Sequence, residues 1–118
     1  MTGGSPGGTP AAASAEEQLA AEGLTAGEWT NGPGDRYLQH RHDYDKVIVV
    51  AAGDITFGCP EIHRTIHLVA GDRLDLPTGS LHDAIVGEGG VRCLEAHLPP
   101  GTLEPAIFHL PGWVRWAS

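Results

Sequence analysis

Cysteine, basic side chains and long apolar runs are all scarce in this 118-residue chain. The 2 cysteines, Cys59 and Cys93, make neither a metal knuckle nor a disulfide framework, so a reducing, cytoplasmic setting is expected. Lysine and arginine total 7 against 15 acidic residues, giving a formal net charge of −8 and a pI near 5.1. Such a balance lacks the basic footprint that nucleic-acid binding needs. No apolar run approaches the roughly 20 residues required to span a bilayer, so no membrane partner is expected. The N-terminus has no basic region followed by an apolar stretch, and no secretory signal is expected there.

What the chain does have is glycine and proline, 17 and 9 respectively, with 41% hydrophobic residues. That load suits many short strands joined by tight turns within one domain. Residues 1–13 are nearly free of charge and of apolar bulk, so they read as a disordered tail preceding a domain over 14–118. Ser14 and Glu17 have capping-box spacing, which predicts a short helix over 15–22, stopped by Gly23.

From residue 27 the pattern turns to β. Strands are predicted at 27–30, 36–42, 46–52, 55–58, 62–68, 73–76, 82–86 and 91–98. The run Val47-Ile48-Val49-Val50 is continuous and rich in β-branched residues, the signature of a strand buried on both faces. Turn chemistry separates the strands at Asn31-Gly32-Pro33-Gly34, Ala52-Gly53-Asp54, Ala70-Gly71-Asp72 and Gly87-Glu88-Gly89-Gly90. Short strands at this spacing predict a sandwich or barrel.

Histidine spacing carries the chemistry. Gly34 is followed after five residues by His40-Arg41-His42, then by Lys46 and, six residues on, by Gly53. Gly71 is followed after five residues by Pro77-Thr78-Gly79, and then by His82 and Val86. These two stretches resemble the paired motifs of the cupin superfamily over about residues 26–100. The resemblance implies an all-β, jelly-roll barrel, here with a short N-terminal helix and a disordered tail. It also implies a metal site formed by His40, His42 and His82. Two residue types depart from the pattern: Lys46 stands where the motif has Glu, and Val86 where it has Asn.

Side chains alternate across a strand, so His40 and His42 are expected on one face, turned into the barrel. Three neutral imidazoles suit one divalent ion of Zn, Fe, Ni, Mn or Cu and leave positions open for other ligands. Lys46 complicates that site, because a protonated lysine repels a nearby divalent cation. The same lysine has functional readings: it can anchor an anionic group of a small-molecule ligand or form a Schiff base with a carbonyl. Asp43 or Asp45 could replace the missing oxygen ligand, although both read more simply as exposed loop acids.

Glu95 and His97 share a strand face with Cys93 and line the pocket if that face turns inward. Tyr37 and Tyr44 stand near the pocket or its rim, and Arg36 and Gln39 near its mouth. His63 and His67 fall opposite Ile62, Ile66 and Leu68, which are the better core residues. Cys59, before Pro60, is expected to be inert. The apolar segment Ile107, Phe108, Trp113, Trp116 suits a homodimer contact. Three functions stay open at this level: a metal-binding cupin with a small-molecule pocket, a metal-free barrel that binds or senses an anionic ligand, and a metal-independent isomerase or epimerase.

Overall fold

The computed structural model describes residues 10–115. Helix α1 spans Pro10–Ala21, and strands β1 (Gly27–Asn31) and β2 (Arg36–His40) follow it. Strand β3 (Asp45–Cys59) leads through a 3-10 turn at Pro60–Ile62 into β4 (Arg64–Val69) and β5 (Arg73–Leu76). Strand β6 (His82–Leu98) and the short β7 (Phe108–Leu110) complete the described elements.

The framework is the antiparallel ribbon of β3 and β6, paired from Asp45↔Leu98 to Gly58↔Asp83. Each of these strands was expected as two. What reads as a break at Gly53 is instead a bend: the register shifts there, and Gly53 and Gly90 both adopt positive φ, 76° and 78°. A Cβ on Gly53 would meet the Gly90 carbonyl oxygen at 2.0 Å, so only glycine lets the two backbones approach this closely. On one side of the bend the order is β1-β6-β3-β5-β7; on the other, β2 flanks β6 and β4 flanks β3. This is the expected jelly-roll arrangement. Its hydrogen-bonded sheet is not closed, because β1 and β7 stand at opposite ends of the path.

The ribbon is covered on both faces. Ile48 and Val50 join Ile55, Phe57, Leu68 and Leu74 in the inner core. Val47 and Val49 face the other way, packing with Leu94, Ala96 and the helix residues Ala15 and Leu19. The continuous Val-Ile-Val-Val run is thus buried on both sides, as its composition implied. Truncating a fully buried residue such as Leu19 to alanine should cost about 2–5 kcal/mol.

The helix starts earlier than predicted. Ser14 lies inside it and is buried, so it is not the N-cap. Pro10 suits a first helical position, and the Ala11-Ala12-Ala13 run propagates helix well. The end is where expected: Leu24 N–H donates to Leu19 O and Gly23 N–H to Ala20 O, a Schellman arrangement around Gly23. Of the expected tail, residues 1–9 lie outside the described residues, whereas 10–13 belong to α1.

Three further expectations change. The 3-10 turn, ended by His63 in the left-handed region, delays β4 to Arg64 and leaves Ile62 exposed while Ile66 and Leu68 enter the core. Strand β7 was not foreseen; it pairs with β5 from Arg73↔Leu110 to Asp75↔Phe108. The C-terminal apolar residues do not form one exposed cluster. Ile107 packs on the inner core, and Trp113 packs on the helix-side core beneath the Arg73 guanidinium, 4.8 Å from the ring centroid. Phe108 is exposed, and Trp116 lies outside the described residues. Among the described residues no helix is long and apolar enough to cross a membrane.

Candidate metal centre

Strands β2 and β6 bring His40 and His82 face to face, since the two pair directly. Strand β2 ends at His40, so His42 sits in the following loop and not on the expected strand. The loop still turns its ring inward, and ring centroids stand 4.6 Å apart for His40–His42, 4.4 Å for His40–His82 and 5.2 Å for His42–His82. One ring nitrogen from each histidine falls within 4.8 Å of the others.

Backbone carbonyls select which nitrogen that is. Leu38 O accepts from His40 Nδ1 at 2.5 Å, and Ser80 O accepts from His82 Nδ1 at 2.9 Å. A carbonyl only accepts, so both rings carry their proton on Nδ1 and leave Nε2 bare. Lys46 Nζ lies 3.0 Å from His42 Nε2, and an ammonium only donates, so His42 Nε2 is an acceptor as well. His40 Nε2 and His42 Nε2, both acceptors, then stand 3.0 Å apart. Two acceptors this close attract a cation. Burial, with Lys46, His40 and His82 nearby, pushes His42 down to about 4. Burial also lowers His82.

The histidine segments are stitched together from outside. Gly79 N–H donates to His42 O at 2.9 Å, holding the turn that delivers His82. Arg41, whose side chain points away from the cluster, donates to Gly79 O at 2.8 Å and to both Glu61 oxygens at 3.0 and 2.9 Å. Asp45 proves to be a buried anchor and not an exposed loop acid. Its carboxylate accepts from Thr78 N and Oγ1 at 2.8 and 2.6 Å and from Leu103 N at 2.7 Å. Burial alone would raise Asp45, but the hydrogen bonds from Leu103 and Thr78 outweigh it and hold the group at about 2. Those bonds commit Asp45 to the fold, and Asp43 is exposed, so neither supplies the missing oxygen ligand.

The histidines open into a cavity of about 380 Å³. Lys46 turns into it, and its side chain is only 11% exposed. Glu95 lines it too, which settles the face of β6: Cys93 packs in the inner core beside it, and burial pushes that thiol up to about 12. Glu95 Oε1 accepts from Trp29 Nε1 at 3.1 Å and stands 3.6 Å from Lys46 Nζ, while Oε2 pairs with His97 Nε2 at 2.6 Å. Ile48, Ile55, Phe57 and Ala84 form the apolar wall.

His97 is half exposed at the rim and does not line the cavity itself. It stacks on Tyr44 at 4.2 Å between centroids, and Tyr44 in turn lies 4.8 Å from His42. Tyr37 lines the cavity, and its hydroxyl donates to Asn31 Oδ1. Arg36 and Gln39 are exposed and take no part in the lining. His63 and His67 are exposed, as expected, and His67 pairs with Asp54. Cys59 is buried at the end of β3, where burial raises its thiol.

Sequence reasoning missed Trp29, Arg41, Glu61 and the anchoring role of Asp45. Trp29 was legible only as a member of a strand. Its contact with Glu95 needs the pairing of β1 with β6, where Trp29 faces Cys93. Val86, at the Asn position of the second motif, is a core residue; its backbone bonds Gly34 and Asp35.

No family model matches this sequence, and no curated protein matches it. Solved structures do match. Oxalate decarboxylase from Bacillus subtilis superposes with a TM-score of 0.56 at 21% identity, over 74% of this chain and 24% of that one. A cupin superfamily protein from Desulfitobacterium hafniense DCB-2 gives 0.55 at 19% identity, over 61% of this chain and 63% of that one. A cupin-2 domain protein from Shewanella frigidimarina NCIMB 400 gives 0.50 at 20% identity, over 58% and 64%. The chain spans less than two thirds of the length of each of these, and only about a quarter of the decarboxylase. At such identities the likeness establishes the fold, which is that of a small cupin domain.

Proposed function

We propose that this cupin-fold chain binds one divalent transition metal through His40, His42 and His82, beside a pocket for a small molecule. The observation that carries this reading is the cluster itself: two Nδ1–H groups are spent on backbone carbonyls, His40 Nε2 and His42 Nε2 stand 3.0 Å apart, and one ring nitrogen of each of the three histidines lies within 4.8 Å of the others. Metal-bound histidines characteristically donate their other N–H in this way. The donor set suits Zn, Fe, Ni, Mn or Cu. One neighbour, the B. subtilis oxalate decarboxylase, is described with Mn(II) centres. A bound ion would supply a Lewis acid, or a redox-active centre, with positions left open for a ligand.

The chain's own residues shape what can enter. Lys46 presents an ammonium beside the histidines, and Glu95 holds it there by ion pairing. The wall of Ile48, Ile55 and Phe57 accepts an apolar body. A small molecule with an anionic group fits this division. The free, buried cysteines agree with a cytoplasmic setting, and exposed Phe108 and Leu38 agree with a homodimer. Light scattering showing only monomer at micromolar concentration would remove the dimer.

The test of the main reading is metal content of protein purified without a histidine tag. Near-stoichiometric metal, lost in a His40→Ala, His82→Ala double variant, is expected. Absence of metal, with none taken up on dialysis, sinks it. A metal-free, anion-binding barrel is the second reading. It is favoured by one observation: Lys46 already places a cation against His42 Nε2.

A further inference from the structure

The position of Lys46 has a thermodynamic consequence. Its Nζ has one hydrogen-bond partner among the described residues, His42 Nε2 at 3.0 Å. Glu95 is too distant at 3.6 Å to accept a hydrogen bond, and its oxygens already serve Trp29 and His97. Any metal held by the histidines takes the His42 lone pair for itself. The ammonium, with its side chain only 11% exposed, then loses its acceptor in a site that has just gained positive charge. The three imidazoles bring no negative charge, and that of Glu95 is matched by Lys46. Among the described residues no other carboxylate lines the cavity to balance the ion.

We infer that metal and a small carboxylate bind this pocket cooperatively, with Lys46 as the residue that couples them. The inference rests on the metal-binding reading above. A carboxylate has oxygens for both partners: one side faces the metal and the other replaces the acceptor that Lys46 lost. A carboxylate suits the site better than a phosphate. Lys46 is the only lysine in the chain, and among the described residues no arginine lines the cavity, so a dianion would lack donors. The apolar wall and the cavity of about 380 Å³ favour a carboxylate on a short apolar or aromatic body.

Lys46 on this account is a positioning residue with two opposed effects. Without an anion it weakens metal binding, and with one it strengthens it. Linkage makes the coupling reciprocal, so the metal raises carboxylate affinity by the same factor.

The experiment is calorimetric titration of Zn²⁺ and of Mn²⁺ into metal-stripped protein at constant ionic strength. It is run alone, with benzoate, with benzyl alcohol as the neutral counterpart, and with inorganic phosphate. Benzoate is expected to tighten metal binding about tenfold, within the usual range of coupling between sites. Benzyl alcohol should have no effect, and phosphate less than benzoate. The Lys46→Met variant should bind metal more tightly than the parent when no anion is present, and the benzoate factor should collapse toward one. Should that variant fail to fold, Lys46→Gln and the reciprocal titration of benzoate into metal-loaded parent protein serve the same purpose. Metal binding that is equal with and without benzoate overturns the coupling and leaves the metal site standing. Stronger coupling by phosphate overturns the carboxylate assignment. Absence of metal binding under every condition removes the metal site and the coupling with it.

Discussion

The Nζ of Lys46 lies 3.0 Å from Nε2 of His42, so the side-chain cation competes for the nitrogen lone pair that a metal would use. A residue that looks like a defect in a metal motif is therefore aimed at the site itself, and Glu95 on the neighbouring strand balances its charge.

Exchanging that charge should strengthen the site. Lys46→Glu replaces a repelling ammonium with a carboxylate ligand. Metal affinity should rise at least about tenfold, which corresponds to about 1.4 kcal/mol. Competition with a chromogenic chelator measures it. Unchanged affinity would mean that Lys46 does not oppose the metal.

Arg41 should matter more for the site than for the fold. It clasps Gly79 O and Glu61 at the surface, where ion pairs contribute little to stability. Arg41→Ala should leave the thermal midpoint of the metal-free protein nearly unchanged. It should weaken metal binding severalfold by loosening the turn that carries His82. A loss of both in proportion would show a purely structural role.

Asp45 gives a pH signature. Its folded carboxyl is held at about 2, below its ordinary value of 3.8. In the window between these values the unfolded chain binds the proton and the folded chain does not, so stability rises with pH there. The contribution is complete above about pH 4 and is lost as pH falls through about 2. Urea unfolding at stepped pH should show a steeper acid loss for the parent than for Asp45→Asn. At neutral pH, Asp45→Ala should cost about 3 kcal/mol by stranding Thr78 N and Leu103 N.

Two glycines of the first motif should separate under mutation. Gly53 and Gly34 share positive φ, 76° and 73°, but a Cβ at Gly53 would strike the Gly90 backbone, whereas one at Gly34 meets nothing within 4 Å. Gly34→Ala should cost about 1 kcal/mol, from backbone strain alone. Gly53→Ala should cost about 3 kcal/mol or more, because the β3–β6 bend must open. Equal costs in chemical denaturation would show that the close approach is not what the bend depends on.

Much of the fold was legible because local rules act on local residues. The Val47–Val50 run announced a strand buried on both faces, and Gly23 announced the end of α1. The spacing of His40, His42 and His82 announced a cluster. Where reading failed, the missing information was non-local. Gly53 looks the same in a turn and in a bend until Gly90 is known to lie against it. Asp45 looks like a loop acid until Thr78 and Leu103 arrive with donors. Ile62 is the local exception: Pro60, two residues earlier, starts a 3-10 turn that leaves it exposed.

The sequence by itself pointed to the jelly-roll and to the histidine cluster, through two motifs that resemble those of cupins. Tertiary structure alone decided the electrostatics of the site. Lys46 and Glu95 are 49 positions apart in the sequence, and only the pairing of β3 with β6 sets the ammonium and the carboxylate 3.6 Å apart. Charges interact through space, and in a cavity with an apolar wall that separation governs whether the site takes a metal, an anion or both.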